Sequence, residues 1–338
     1  MLRGAVVVCL LFLASGSAWA QLRPIPEESG FDGFVNLGAL YGSVSSNMVV
    51  GAEPVDIGNS VTTSLTESPD STNDVIPLYN FDVRYTFAST RTQVFFGNNL
   101  EDLLRFDVTM QAGVRQGFSE RSSVSASLVF TSFPAQVWED PYVVNTPRVE
   151  TDRSSIGARL NWDKILNSDF TIQYTFRDIE IDRELSGLTQ LGLAPAQASL
   201  LDREGDSHRV DVGYAWTIAP RHILVPTYRY TKLDLNGDAM ANDRHALQLS
   251  YVYHGDPVTV SANVEYARSN YNAVHPIYLT TRDDDFYAGG LQLFWHGPFG
   301  APKELSLLGT LVGIYSDSNI DFYDETVYGA GLSLFYQF

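Results

Sequence analysis

From residue 31 onward the chain alternates apolar and polar residues over short segments separated by turn-forming clusters. Segment 75–87 is the clearest: Val75, Pro77, Tyr79, Phe81, Val83, Tyr85 and Phe87 share one parity, and Asn80, Asp82, Arg84 and Thr86 the other. Successive side chains of a β-strand point to opposite faces, so this pattern predicts a strand with one apolar and one polar face. The same pattern predicts 14 strands, at 31–46, 75–87, 92–97, 104–116, 121–133, 154–165, 170–182, 208–218, 222–235, 245–254, 258–270, 286–296, 305–316 and 326–338.

The connections alternate in length. Short turns at 88–91, 117–120, 166–169, 219–221, 255–257 and 297–304 take turns with long loops at 47–74, 98–103, 134–153, 183–207, 236–244, 271–285 and 317–325. After residue 20 there is no run of about 18 uncharged apolar residues, so the chain offers no transmembrane helix. Eighteen Tyr, 19 Phe and 5 Trp interleaved with polar residues suit instead a sheet with lipid on one face and water on the other.

The ends of the chain carry a resemblance. Phe338 follows Tyr336, Leu334, Leu332 and Ala330 at every second position, and this strongly resembles the closing strand of bacterial outer-membrane β-barrels. At the other end Arg3, the apolar run 5–14 and Ala18-Trp19-Ala20 have the layout of a signal peptide cleaved after residue 20, with 21–30 a short periplasmic segment and 31–338 the barrel. Cys9 is the only cysteine and lies inside the apolar run, so the mature chain would have no thiol for disulfides, metal sites or catalysis. Residues 25–34 and 318–324 are similar to a family of outer-membrane proteins of unknown function. The resemblance implies an all-β, antiparallel up-and-down transmembrane barrel in the bacterial outer membrane, with short periplasmic turns and acidic extracellular loops. It further implies that Phe338, Tyr336 and Leu334 are read by the outer-membrane assembly machinery, with membrane lipid and lipopolysaccharide as surroundings.

Within that architecture charge becomes informative. The net charge is −18, and the first long loop holds Glu53, Asp56, Glu67, Asp70 and Asp74 without a basic residue. Such a rim disfavours nucleic acid. Asp283-Asp284-Asp285 is the best local candidate for a hard cation, yet it lacks the spacing and central glycine of a calcium loop, so no metal site is assigned and no cofactor is expected. Arg84, Arg105, Arg115, Arg159, Arg177 and Arg229 all have polar-face parity, mixed with Asp82, Asp107, Asp211 and Glu265. Facing lipid, each arginine would cost about 2–4 kcal/mol near the midplane, so these residues are expected to line the lumen. They either border an aqueous path and filter solutes, or pair with one another and brace the wall.

Catalytic candidates are few. Ser207 and His208, in Gly205-Asp206-Ser207-His208, superficially resemble the opening of an esterase family, but without its strand-to-helix setting. His245 beside Asp243, and His275 near the aspartate run, could mimic acid–histidine pairs, whereas His254 and His296 look like members of an interfacial aromatic girdle. The chain is therefore expected to be no enzyme but a porin-like channel for passive diffusion of small polar or charged solutes. A lipid or peptide hydrolase and a structural or adhesion barrel with a filled lumen are the alternatives.

Overall fold

A computed structural model describes residues 24–52, 55–102, 107–119 and 121–338. The signal peptide expected at 1–20 and Arg105 lie outside the described residues, as does the side chain of Asp107. Fourteen antiparallel strands form a closed barrel. In chain order they are β1 (Gly30–Ser45), β2 (Ser71–Phe87), β3 (Thr92–Asp102), β4 (Asp107–Gly117), β5 (Ser123–Thr131), β6 (Glu150–Asp163) and β7 (Phe170–Ile181). They continue as β8 (Gly205–Tyr214), β9 (His222–Leu235), β10 (Asn242–His254), β11 (Val258–Val274), β12 (Thr281–His296), β13 (Leu305–Ser318) and β14 (Glu325–Gln337).

Each strand pairs with its sequence neighbours, and β1 also pairs with β14, Val35 opposite Tyr336 and Tyr41 opposite Ala330. Phe338 completes the seam by exchanging two backbone hydrogen bonds of 3.1 Å with Gly33. Closure satisfies the backbone groups that an open sheet would present to hydrocarbon. One interruption has a local cause. Strand β8 breaks at Ala215 before resuming over Trp216–Ala219, opposite the stretch of β9 where Pro226 has no N–H to donate to the ladder.

Alternation sorts the two faces as the sequence predicts. Leu37, Tyr41 and Leu247 are about 60% exposed on the outside, while Arg159 and Ser250 inside are fully buried. An apolar exterior around a polar interior, closed on itself, is the layout of a β-barrel of the bacterial outer membrane. In such barrels the short-turn end faces the periplasm and the long-loop end the exterior.

Several strands reach further toward the long-loop end than expected. β3 runs through the stretch 98–102 assigned to a loop, β6 begins at Glu150 rather than 154, and β12 begins at Thr281 rather than 286. Beyond the hydrocarbon both faces of a strand meet polar surroundings, so the ladder persists after the alternation has faded. The aspartate run is consequently strand, not loop. Asp284 points inward to Arg282, and Asp283 and Asp285 point outward to Arg268.

The first long loop departs most from expectation. Rather than a solvated acidic rim, its start folds inward as a small hairpin of Val49–Ala52 and Val55–Asp56, and Val49, Val50, Val55 and Ile57 are buried. The hairpin packs on a dry inner wall made by Leu40, Val44, Ile76, Ala246, Ala267, Phe286, Val312, Ile314 and Val327. A second apolar cluster, Phe34, Val252, Phe294, Leu308 and Phe335, lies nearer the short-turn end. A third, with Tyr142, Leu201, Met240, Ile320, Phe322 and Tyr323, ties the outer loops together over the mouth.

Candidate functional site

The remaining inner wall is polar, and strand register arranges it in rows. Thr86, Gln93, Arg115, Ser125, Asn161, Gln173, Asp211, Arg229, Ala246, Ala267 and Phe286 are successive partners from β2 to β12. Arg84, Phe95, Gly113, Ser127, Arg159, Thr175, Arg209, Thr231, Arg244, Ser269 and Asp284 form the adjacent row. Asp82, Gly97, Gln111, Val129, Gly157, Arg177 and Ser207 form the next. Rows two residues apart put every one of these side chains on the same face. The structure thus gathers the predicted Arg84, Arg115, Arg159, Arg177, Arg229, Asp82 and Asp211 into three neighbouring rows, with Glu265 one row further on, beside Gln248.

Carboxylates sit beside the arginines on the same or a neighbouring strand. Arg84 pairs with Asp82, and Arg115 Nε lies 2.9 Å from Ser123 Oγ and 3.7 Å from Asp163. Arg209 and Arg229 grip the two oxygens of Asp211 at 2.7 and 2.6 Å, and Arg229 continues to Glu265 at 2.8 Å. Arg244 adds a 3.3 Å contact to Glu265 and stacks 4.1 Å over the Phe286 ring. This five-membered chain crosses from β8 to β11. Arg159 donates to Thr175 Oγ1 at 2.9 Å and Gln111 Oε1 at 3.3 Å, and Arg177 to Ser155 Oγ at 3.0 Å. Arg209 and Arg244 were not singled out from the sequence. Arg209 carries the right parity within the predicted eighth strand, and Arg244 falls one residue before the predicted start of the tenth.

Other inward polar atoms have no protein partner. Asn36 Oδ1, Asn80 Oδ1, Gln93 Oε1, Ser127 Oγ, Asn161 Oδ1, Thr171 Oγ1, Gln292 Oε1 and Ser333 Oγ are buried and unbonded. Each such atom in a dry interior costs about 1–3 kcal/mol. They are spread over β1–β3, β5–β7, β12 and β14, so the polar wall is incompletely matched by protein groups.

The mouth is held by a buried polar cluster. Tyr142 and Tyr323 hydroxyls lie 2.6 Å apart, and His275 Nε2 lies 2.7 Å from the Tyr323 hydroxyl. Burial lowers the His275 pKa to about 3, helped by nearby Arg282, and burial raises the phenols of Tyr142 and Tyr323. Arg148 stacks 4.3 Å over Trp138 and donates to the carbonyls of Asn47, Pro141 and Asn59, pinning the first loop to the third. Asn47 Nδ2 donates to Phe322 O at 3.0 Å.

The catalytic candidates do not assemble. Ser207 faces the lumen beside Arg177, while His208 points outward and meets the Tyr174 hydroxyl at 2.9 Å. His245, also outward, meets the Tyr228 hydroxyl at 2.7 Å. His296 was expected in the aromatic girdle but is turned inward, between Thr259 at 3.0 Å and Ser306 at 2.8 Å, because it shares parity with buried Phe294. Among the described residues no group of three or more His, Cys, Asp or Glu is placed to hold a metal ion.

A family model described as "Protein of unknown function (DUF2860)" matches residues 30–337. No curated protein matches the sequence. Among solved structures, the chain is similar to the outer-membrane channel DcaP of Acinetobacter baumannii, at 11% identity and TM-score 0.44, covering 92% of this chain and 97% of that one. A loop-deletion form of OmpT, an outer-membrane protein of Vibrio cholerae, is similar at 11% identity and TM-score 0.43, covering 92% and 99%. A Pseudomonas aeruginosa FadL homologue is similar at 9% identity and TM-score 0.44, covering 91% and 89%.

Proposed function

This chain belongs to the DUF2860 family, and for this outer-membrane β-barrel we propose a channel for passive diffusion of small polar or charged solutes, narrowed by its own first loop. The observation that carries the reading is the belt of inward polar atoms without protein partners. A barrel built only as a scaffold would fill that volume with matched groups, because unmatched ones are costly. The arginine rows supply a continuous polar track along the wall, and no covalent step is required of any residue. In this reading lipopolysaccharide surrounds the outer half of the barrel, and Leu334, Tyr336 and Phe338 are recognised during assembly.

The apolar seat of the hairpin favours a second reading, a structural barrel with a permanently filled lumen. Reconstitution in planar bilayers separates the two. Purified folded protein should give stepwise conductance, altered by Arg84→Ala or Arg115→Ala. A verified folded protein that gives no steps would support the filled-lumen reading and sink the channel.

A further inference from the structure

The polar track and the dry wall meet at β10 to β12, and the junction has an unusual chemistry. Arg244 stacks on Phe286, and Phe286 belongs to the apolar surface that the first-loop hairpin covers. The side chain of Arg244 is 26% exposed, whereas Arg84, Arg115, Arg159, Arg177 and Arg229 are each at most 9% exposed. A partly exposed arginine, one Nη of which keeps its 3.3 Å contact to Glu265, therefore stands at the edge of an apolar surface continued by Ala246, Ala267, Ile314 and Val327. Stacking fixes the plane of the guanidinium, and a held fork offers directed N–H donors to a planar oxyanion.

The hairpin shows what that wall accepts. Val49, Val55 and Ile57 lie on it from a hairpin whose first arm is paired with Val137 and Gln136 of the third loop, so these side chains reach the wall from the loops and not from a barrel strand.

We propose that this junction is a solute subsite for amphipathic organic anions, with the carboxylate or sulfonate at Arg244 and the apolar body on the Phe286–Ile314–Val327 wall in place of the hairpin side chains. The proposal rests on the channel reading above and narrows its solute class. Displacement of the hairpin by such a solute both fills the dry wall and widens the path beside it. A small inorganic ion engages only the arginine, and a neutral apolar molecule only the wall.

The test is equilibrium titration of the full-length barrel in lipid nanodiscs with 4-phenylbutyrate, against butyrate, 4-phenylbutanol and 4-phenylbutylamine. The carboxylate should bind at least about tenfold more tightly than each of the other three, since a charge-assisted hydrogen bond contributes about 1.5–3 kcal/mol. Arg244→Gln should remove that advantage while leaving 4-phenylbutanol unchanged, and Arg244→Lys should restore part of it. Equal binding of the amine and the carboxylate overturns the proposal, as does an Arg244→Gln protein that keeps the preference. Conductance recorded on the same preparation reports on the channel separately, so steps without anion preference would remove the subsite and leave the channel standing.

Discussion

The inner wall of this barrel has two halves built on different rules. From β2 to β9 its side chains are mostly arginine, carboxylate, amide and hydroxyl, knitted into rows by strand register and interrupted at Phe95 and Val129. From β12 through β14 to β1 an apolar patch of Leu40, Val44, Phe286, Val312, Ile314 and Val327 lies beneath the first-loop hairpin, set among Ser, Thr and Gln positions. The same alternation produces both, because alternation decides only which residues point inward. What they meet there decides their chemistry: the apolar patch meets the side chains of the hairpin, and the polar side chains meet one another across the strands.

The difference can be broken from either side, and the buried ion network should respond most. Glu265→Ala leaves Arg229 without a carboxylate it now bonds at 2.8 Å, which should lower stability by about 3–5 kcal/mol. Urea unfolding followed by heat-modified gel mobility measures this. A loss under 1 kcal/mol would mean the network is well hydrated and does not brace the wall. On the dry half Leu40→Ala should cost about 3 kcal/mol and free the hairpin to added protease, because it removes a side chain 2% exposed beneath it. Unchanged cleavage would show that the hairpin is held by its loop contacts alone.

The mouth cluster gives a pH dependence. His275 is held neutral by burial, with its pKa lowered from 6.5 to about 3, so the unfolded chain takes up a proton that the folded cap excludes. Its contribution is fully present above pH 6.5 and is lost as pH falls through the window from 6.5 to 3. At pH 5 the loss should be about 2 kcal/mol, seen as faster hydrogen exchange around Tyr142 and Tyr323. His275→Phe should flatten that profile, and a profile unchanged by the substitution would remove His275 as its source. The smallest effect belongs outside the barrel. Arg268 pairs with Asp283 and Asp285 while 46% exposed, and Arg268→Ala should change stability by no more than about 1 kcal/mol in the same urea assay.

Much of the fold is legible in the sequence because lipid imposes a strict rule. All 14 strands fall where alternation puts them, and His222–Leu235 coincides with the predicted segment at both ends. Strand ends at the long-loop side are less legible, since Glu101, Asp102 and Asp283–Asp285 look like loop residues once hydrocarbon no longer distinguishes the faces. The inward arginines are readable by parity. Their partners are not, because the pairing of Arg229 with Glu265 depends on register across two strand boundaries. The inserted hairpin was the least visible feature. Its apolar run from Met48 to Ala52 with Val55 and Ile57 is a signal, but it is short and lies in a loop rich in carboxylates and without basic residues, the composition of a solvated segment.

The central claim is that a hydrated polar track runs along the wall and that the first-loop hairpin is what narrows it. Single-channel recording of the whole barrel beside a variant with residues 48–57 replaced by a short Gly-Ser link tests this most directly. Small steps are expected from the intact protein and steps several-fold larger from the variant. Folded protein in which both forms are silent, or in which removing the hairpin leaves the conductance unchanged, would contradict it.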